Sequence, residues 1–291
     1  MTGPSTASGD SGTVKVEGAE LGYRIEGHGP TCLVVGSSIY YPRAFSQGLR
    51  NHLRLVFVDL RHFAPSDPSF DLDQISLETY ANDIERMREA LGLGDVIVIG
   101  HSNWAGYALD YAQWYPEHVR GAVWLGGAPV IDEAEVNRLW ETDASQERKE
   151  LYARKQAELT PELRATLSPS ELFIRESAAN GPLKWYDANY DNSPMFDEVF
   201  LNLPVFDRFA ELEDDDFDWA DVAARLDAPV LVVVGRYDYR NPYTLWERDR
   251  DSTPYTFVLL DRSGHIPMFE EPELFDQTLL DWVGSLPSST G

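Results

Sequence analysis

The chain has 291 residues, with Asp+Glu 49 against Lys+Arg 24 for a formal charge of -25, and 43% hydrophobic content that allows a sizeable core. The acidic balance argues against nucleic acid and anionic membrane surfaces as partners, since both demand basic footprints. No stretch reaches the ~18 apolar residues needed to span a bilayer, and a lone cysteine, Cys32, excludes an intramolecular disulfide and a Cys-rich metal centre.

Met1–Gly12 is rich in Ser, Thr and Gly and lacks a basic-then-apolar leader pattern. It reads as a disordered tail, and the simplest localisation is cytoplasmic. Thr13–Val16 and Ala19–Glu26 flank a Glu17-Gly18 turn as an antiparallel hairpin. Thr31–Val35 reads as a buried strand ending in Gly36-Ser37-Ser38, Arg43–Leu53 has helical spacing, and Leu55–Asp59 is another buried strand before a loop, Leu60–Ser66. Ser76–Leu91 is an amphipathic helix: Ser76 suits the N-cap, and Leu77, Tyr80, Ile84, Met87 and Leu91 form one apolar stripe. Gly92 and Gly94 stop it.

Val96-Ile97-Val98-Ile99 is a strand whose residues are apolar on both faces, as in a covered parallel sheet. It breaks at Gly100-His101-Ser102-Asn103-Trp104-Ala105-Gly106, and helical spacing resumes from Gly106 to Arg120. A serine on a sharp strand-to-helix turn is a nucleophile elbow, and the following helix aims its N-terminal N–H groups at whatever the serine attacks. The elbow departs from Gly-x-Ser-x-Gly in its last place, where Trp104 stands.

Further strands are expected at Gly121–Leu125, Pro229–Val234 and Tyr255–Leu260, with helices around Tyr243–Arg248 and over Leu274–Leu286. Alternating strands and helices predict an α/β class, a doubly wound and mostly parallel sheet. The alternation stops from 131 to 227, where helical runs (Glu133–Arg138, Gln146–Glu158, Pro169–Ser177), aromatic residues (Trp185, Tyr186, Tyr190, Phe196, Phe200) and the acidic run Glu213–Asp216 occur. This segment reads as a helical cap inserted into a core of 13–130 and 228–286, with tails at 1–12 and 287–291; the acidic run reads as a solvated face.

A serine hydroxyl needs a base to act as nucleophile, and the base needs an orienter. In hydrolases built on a strand–turn–helix serine the chain order is Ser, acid, His. Asp238 follows the strand Pro229–Val234, and His265 follows Tyr255–Leu260 within Ser263-Gly264-His265-Ile266-Pro267, both on the sheet edge that carries Ser102. Asp132 is the rival acid, and His62 is a histidine able to line the pocket. The oxyanion requires N–H donors where charge develops. The expected donors are the Asn103 backbone and the loop after Thr31–Val35, with Ser37 first and Ser38 second.

Gly100-His101-Ser102, Gly-Arg-Tyr-Asp238 after a strand and Ser-Gly-His265 before a proline resemble the α/β-hydrolase superfamily. Tyr80–Pro116, with "LGLGDVIVIGHS" and "ALDYAQWYPEHV", is similar to the proline-iminopeptidase-like and esterase branches. The resemblance covers roughly Val14–Leu286 apart from the cap. It implies a pocket under the cap, no metal and no organic cofactor. The expected activity is acyl-enzyme hydrolysis of a small ester, lactone or related acyl substrate, with Trp104, Tyr40, Trp185 and Tyr186 as substrate-binding residues. Alternatives are a proline-iminopeptidase-like aminopeptidase, from which the chain departs by lacking a Gly-Gly-Ser-Trp-Gly elbow, and a small-molecule binding protein with weak activity, suggested by Trp104. The sequence leaves oligomeric state open.

Overall fold

A computed structural model describes residues 10–130, 132–210, 218–247 and 254–287. Eight strands form one sheet: β1 Asp10–Val16, β2 Ala19–Gly27, β3 Thr31–Gly36, β4 Arg54–Asp59, β5 Val96–His101, β6 Val119–Leu125, β7 Val230–Gly235 and β8 Thr256–Leu260. Their spatial order is β1-β2-β4-β3-β5-β6-β7-β8. The β1–β2 and β2–β4 pairs are antiparallel, and every pair from β4–β3 to β7–β8 is parallel. The expected mostly parallel α/β sheet is therefore the observed one.

The apolar runs follow from burial on both faces. Val96, Val98, Val232 and Val234 join one cluster, whereas Ile97, Ile99, Leu231 and Val233 join the other. The first face is covered by α2 (Leu77–Ala90) and α3 (Trp104–Trp114); the second receives α1 (Tyr41–Ala44) and the C-terminal helix. Ser76 caps α2 in a capping box with Thr79, and Tyr80, Ile84 and Met87 are buried along the expected stripe. Cys32 is a buried core residue.

Between β6 and β7 lie α4 (Glu133–Asp143), α5 (Gln146–Glu158), α6 (Pro161–Arg164), α7 (Pro169–Ala179), α8 (Gly181–Lys184), α9 (Leu203–Ala210) and α10 (Trp219–Arg225). The chain closes through α11 (Thr244–Glu247), α12 (Pro267–Glu270) and α13 (Pro272–Ser285). The acidic run Glu213–Asp216 and most of both expected tails lie outside the described residues.

Three boundaries differ from expectation. The expected first tail runs to Gly12, but Asp10–Gly12 pair with Tyr23–Ile25 as the start of β1. The helix expected over Arg43–Leu53 is instead α1 and a 3₁₀ turn at Gly48–Asn51. Arg50 replaces the missing helical N–H donors there, since its guanidinium donates to Pro42 O, Phe45 O and Ser46 O. The helix expected to reach Arg120 ends at Trp114, because the residue before Pro116 is driven out of helical geometry, and Val119–Arg120 already belong to β6.

Candidate active site

The site grows from the C-terminal edge of β5. Gly100 is required there by close approach: a Cβ at this position would lie 2.4 Å from both Ala105 Cα and Trp104 O. The chain then turns through Ser102, whose φ of 58 is left-handed, a conformation that non-glycine residues adopt at a cost. The turn is held by Ser102 N–H donating to Leu125 O at 2.8 Å and by Ala105 N–H donating to Ser102 O at 3.0 Å. Asn103 is the N-cap of α3 and uses no side-chain cap. Ser102 itself is only partly buried.

Two strands along, β7 ends at Gly235 and Asp238 follows in a turn, its own side chain fully buried. Its Oδ1 accepts from Arg240 N–H (3.1 Å) and Asn241 N–H (2.9 Å), and its Oδ2 lies 2.7 Å from His265 Nδ1. Burial pushes the Asp238 carboxyl up, against the pull of those two N–H groups and the Lys184 charge. Burial also drives the His265 imidazolium well down, and the nearby Lys184 and Arg240 charges depress it further. His265 is thereby kept neutral and able to accept a proton through Nε2, while Nδ1–H points at Asp238.

His265 is held by its backbone. Its N–H donates to Lys184 O at 2.5 Å, and its carbonyl lies 2.9 Å from His101 Nε2. A carbonyl only accepts, so His101 carries its proton on Nε2 and its Nδ1 accepts from Tyr41 Oη at 3.1 Å. The residue adjacent to Ser102 thus clamps the His265 loop to the elbow. Glu270 adds a second clamp: its carboxylate accepts from Gly264 N–H (2.9 Å), Ile266 N–H (3.3 Å) and Tyr186 N–H (2.6 Å). Gly264 is needed because a Cβ there would lie 2.1 Å from Lys184 O.

The loop after β3 separates the two expected oxyanion donors. Ser38 N–H donates to Asp59 Oδ1 at 2.6 Å, so Ser38 is corrected out of that role. Ser37 Oγ accepts from Ile39 N–H and Tyr40 N–H, and its carbonyl accepts from Tyr41 N–H. These bonds order the loop without using the Ser37 N–H. Burial raises Asp59 to about 6, the Ser38 and Gly22 donors opposing the rise.

Trp104 finds its room in an aromatic cluster, with centroids 4.4 Å from His62, 5.5 Å from Phe63 and 5.8–5.9 Å from Phe209 and Phe206. His62 does not line a polar pocket. It is buried with both ring nitrogens unpartnered among the described residues, and burial lowers it to about 3. Its loop is tied to α2 by the buried Arg61–Asp83 pair (2.6 and 3.0 Å); removing one partner of such a pair costs about 3–5 kcal/mol. Tyr40 packs on Tyr41 and on Phe196, from the segment between β6 and β7. Trp185 is enclosed against Tyr190 and Phe269. Tyr186, expected in the substrate site, is exposed instead, packing on Tyr237 with Arg262 over its ring. Asp132, the rival acid, caps α4 by accepting from Glu135 N–H at 3.0 Å.

Sequence reasoning missed Lys184 and Glu270 and left His101 without a role. Each acts through backbone hydrogen bonds, those of His101 and Lys184 reaching loops far along the chain and that of Glu270 to Tyr186 likewise, which no spacing rule reports. Among the described residues no group of three or more His, Cys, Asp or Glu side chains is arranged to hold a metal ion, and no helix is long and apolar enough to cross a membrane.

Comparison with known proteins agrees with this architecture. Over 287 residues the chain is 35% identical to the AB hydrolase superfamily protein YclE of Bacillus subtilis, covering 94% of this chain and 98% of that one. It is 23% identical to a proline iminopeptidase of Heyndrickxia coagulans over 94% of this chain and 99% of the other. A proline iminopeptidase-related protein of Thermus thermophilus superposes with a TM-score of 0.68 at 20% identity, covering 96% of this chain and 98% of its own, a likeness of fold. The family model described as the alpha/beta hydrolase fold matches residues 31–272, and the chain belongs to the α/β-hydrolase family.

Proposed function

We propose that the protein is a serine hydrolase that cleaves a small ester, lactone or related acyl substrate through an acyl-enzyme. Ser102 attacks the carbonyl while His265 takes its proton, and Asp238 holds the His265 tautomer and stabilises the imidazolium. Asn103 and Ser37 N–H groups receive the oxyanion, and losing one such donor costs about 10²–10³ in rate. Water then attacks the acyl-enzyme, with His265 again as base. The observation that carries this reading is the 2.7 Å Asp238–His265 contact, tethered through His101 to the strained turn at Ser102.

The amidase alternative is less well supported. An aminopeptidase must bind a substrate ammonium, whereas Lys184 and Arg240 bring positive charge to the surroundings of His265. The binding-protein alternative rested on crowding by Trp104, and its ring is absorbed by the cluster around His62. The test is a fluorophosphonate probe: wild type labels stoichiometrically and Ser102→Ala does not. A folded wild-type protein that takes no label and turns over no ester would sink the hydrolase reading.

A further inference from the structure

His265 lies between β8 and α12 in a loop with no helix or strand of its own, so the N–H groups of that loop need acceptors from elsewhere. Two consecutive side chains supply most of them. Glu271 Oε2 accepts from Arg262 N–H (2.7 Å) and Ser263 Oγ (2.8 Å), both within the loop. Glu270 Oε1 accepts from Gly264 N–H and Ile266 N–H, the two residues that flank His265. Its other oxygen, Oε2, accepts from Tyr186 N–H at 2.6 Å, 84 residues away in the chain.

The segment Leu183–Tyr186 meets the candidate site at three points. Lys184 O accepts from His265 N–H, Leu183 O accepts from Tyr239 N–H beside Asp238, and Tyr186 N–H ends on Glu270. One carboxylate therefore holds the flanks of His265 with one oxygen. With the other it holds the segment that takes the N–H of His265 itself. Arg148 of α5 fastens the same segment independently, by donating to Pro182 O, Trp185 O and Tyr186 O.

Glu270 is partly buried, and burial raises it to about 7, the three N–H donors opposing the rise and the Asp238 charge adding to it. The other groups that face it are Arg148, whose guanidinium stays charged, and the phenols of Tyr40 and Tyr190, which burial pushes further up and keeps neutral. Arg262, Glu271 and Glu273 border a surface hollow with Glu270 and Tyr186. A protonated carboxyl keeps one carbonyl oxygen and turns the other into a donor. The carbonyl belongs at Oε1, where two N–H groups converge, so the new O–H confronts Tyr186 N–H and that bond is lost.

We propose that Glu270 is a positioning residue that couples the seating of Leu183–Tyr186 to the alignment of His265, and that only its carboxylate form makes the coupling. This rests on the serine-hydrolase reading above and adds to it a control on the base. With the carboxylate in place, the segment and the loop move as one unit. Once it is protonated, the loop keeps its local bonds but the segment is released from it.

The test is a pH profile with two variants. In wild type, kcat for 4-nitrophenyl acetate should fall by about 10- to 100-fold as pH drops through about 7, with KM little changed, as for a displaced catalytic group. His265, driven well below its ordinary value, gives a separate limb at lower pH. Glu270→Gln keeps a carbonyl for Gly264 and Ile266 but offers Tyr186 an NH₂ group, so it should sit at the lower level throughout and lack the upper limb. Glu271→Gln, on the same loop but bonded only within it, should keep that limb. No upper limb in wild type, its persistence in Glu270→Gln, or its equal loss in Glu271→Gln would overturn the proposal. Amide hydrogen exchange at pH ~8 reads the coupling without turnover. In Glu270→Gln exchange should quicken at Tyr186 and also at His265, whose acceptor is Lys184 O. A rise at Tyr186 alone refutes the coupling even in a protein that hydrolyses esters. The joint rise supports it even where fluorophosphonate labelling fails.

Discussion

At the scale of single residues, the candidate site is held together by groups outside the Ser102, Asp238 and His265 set. His101 occupies the variable place of the elbow, yet its ring joins Tyr41 to the His265 carbonyl. Burial drives its pKa well below the ordinary value, so it stays neutral and keeps the tautomer that the clamp needs. His101→Phe should leave the His265 carbonyl and the Tyr41 hydroxyl without these partners. The expected stability loss is about 1–3 kcal/mol, read by urea unfolding. Ester kcat should fall by roughly 10²-fold, as for a displaced catalytic group, with KM little changed. Tyr41→Phe should be milder, because it removes only the bond that orients His101. Equal kcat in wild type and His101→Phe would mean that His265 is positioned by Glu270 and Lys184 alone.

At the scale of elements, α3 combines a strained start with an uncomfortable interior. Asp110 lies buried on this helix with Oδ2 unpartnered among the described residues, and burial raises its pKa to about 7. A carboxyl raised above its unfolded value of about 3.9 holds a proton in the native state that the unfolded chain has lost. Its contribution to stability is therefore complete below the unfolded value and is lost as pH rises through about 7. Asp110→Asn should stabilise the protein at pH ~8 by about 1–3 kcal/mol and have little effect near pH ~4, measured as the difference in urea midpoints. A stabilisation independent of pH would place the cause in packing instead. The element scale is also where reading by periodicity failed. Arg43–Leu53 carries a helical pattern, but Arg50 supplies by side chain the donors that a continuous helix would supply by backbone. Propensity contains no term for a distant guanidinium.

At the scale of the whole molecule, the charge of -25 sets the background against which each cation acts. Self-repulsion destabilises the compact state at low ionic strength. Raising NaCl from ~10 mM to ~300 mM shortens the Debye length from about 30 Å to under 8 Å, and about 1 kcal/mol of relieved repulsion would raise the thermal midpoint by roughly 2–4 °C. A midpoint that falls with salt would show that ion pairs such as Arg50–Glu26 and Arg88–Glu85 outweigh the net repulsion.

The sequence by itself determined the sheet and the chain order of Ser102, Asp238 and His265. Strands covered on both faces must be apolar throughout, and a turn between strand and helix must be marked by glycine and small residues, so both leave local traces. It also marked Asp238 above Asp132, through position after a strand. Only the tertiary structure decided what surrounds them. Ser38 was lost as an oxyanion donor to Asp59, 21 residues away. Tyr186 turned outward to Arg262, and Trp104 settled among Phe206 and Phe209 of α9. Lys184 came to rest on a histidine 81 residues further along the chain (265 − 184), through a backbone hydrogen bond to which its side chain contributes nothing. Such contacts depend on how the segment between β6 and β7 packs against the sheet and its loops, and long-range packing of that kind has no local signature in the residues that make it.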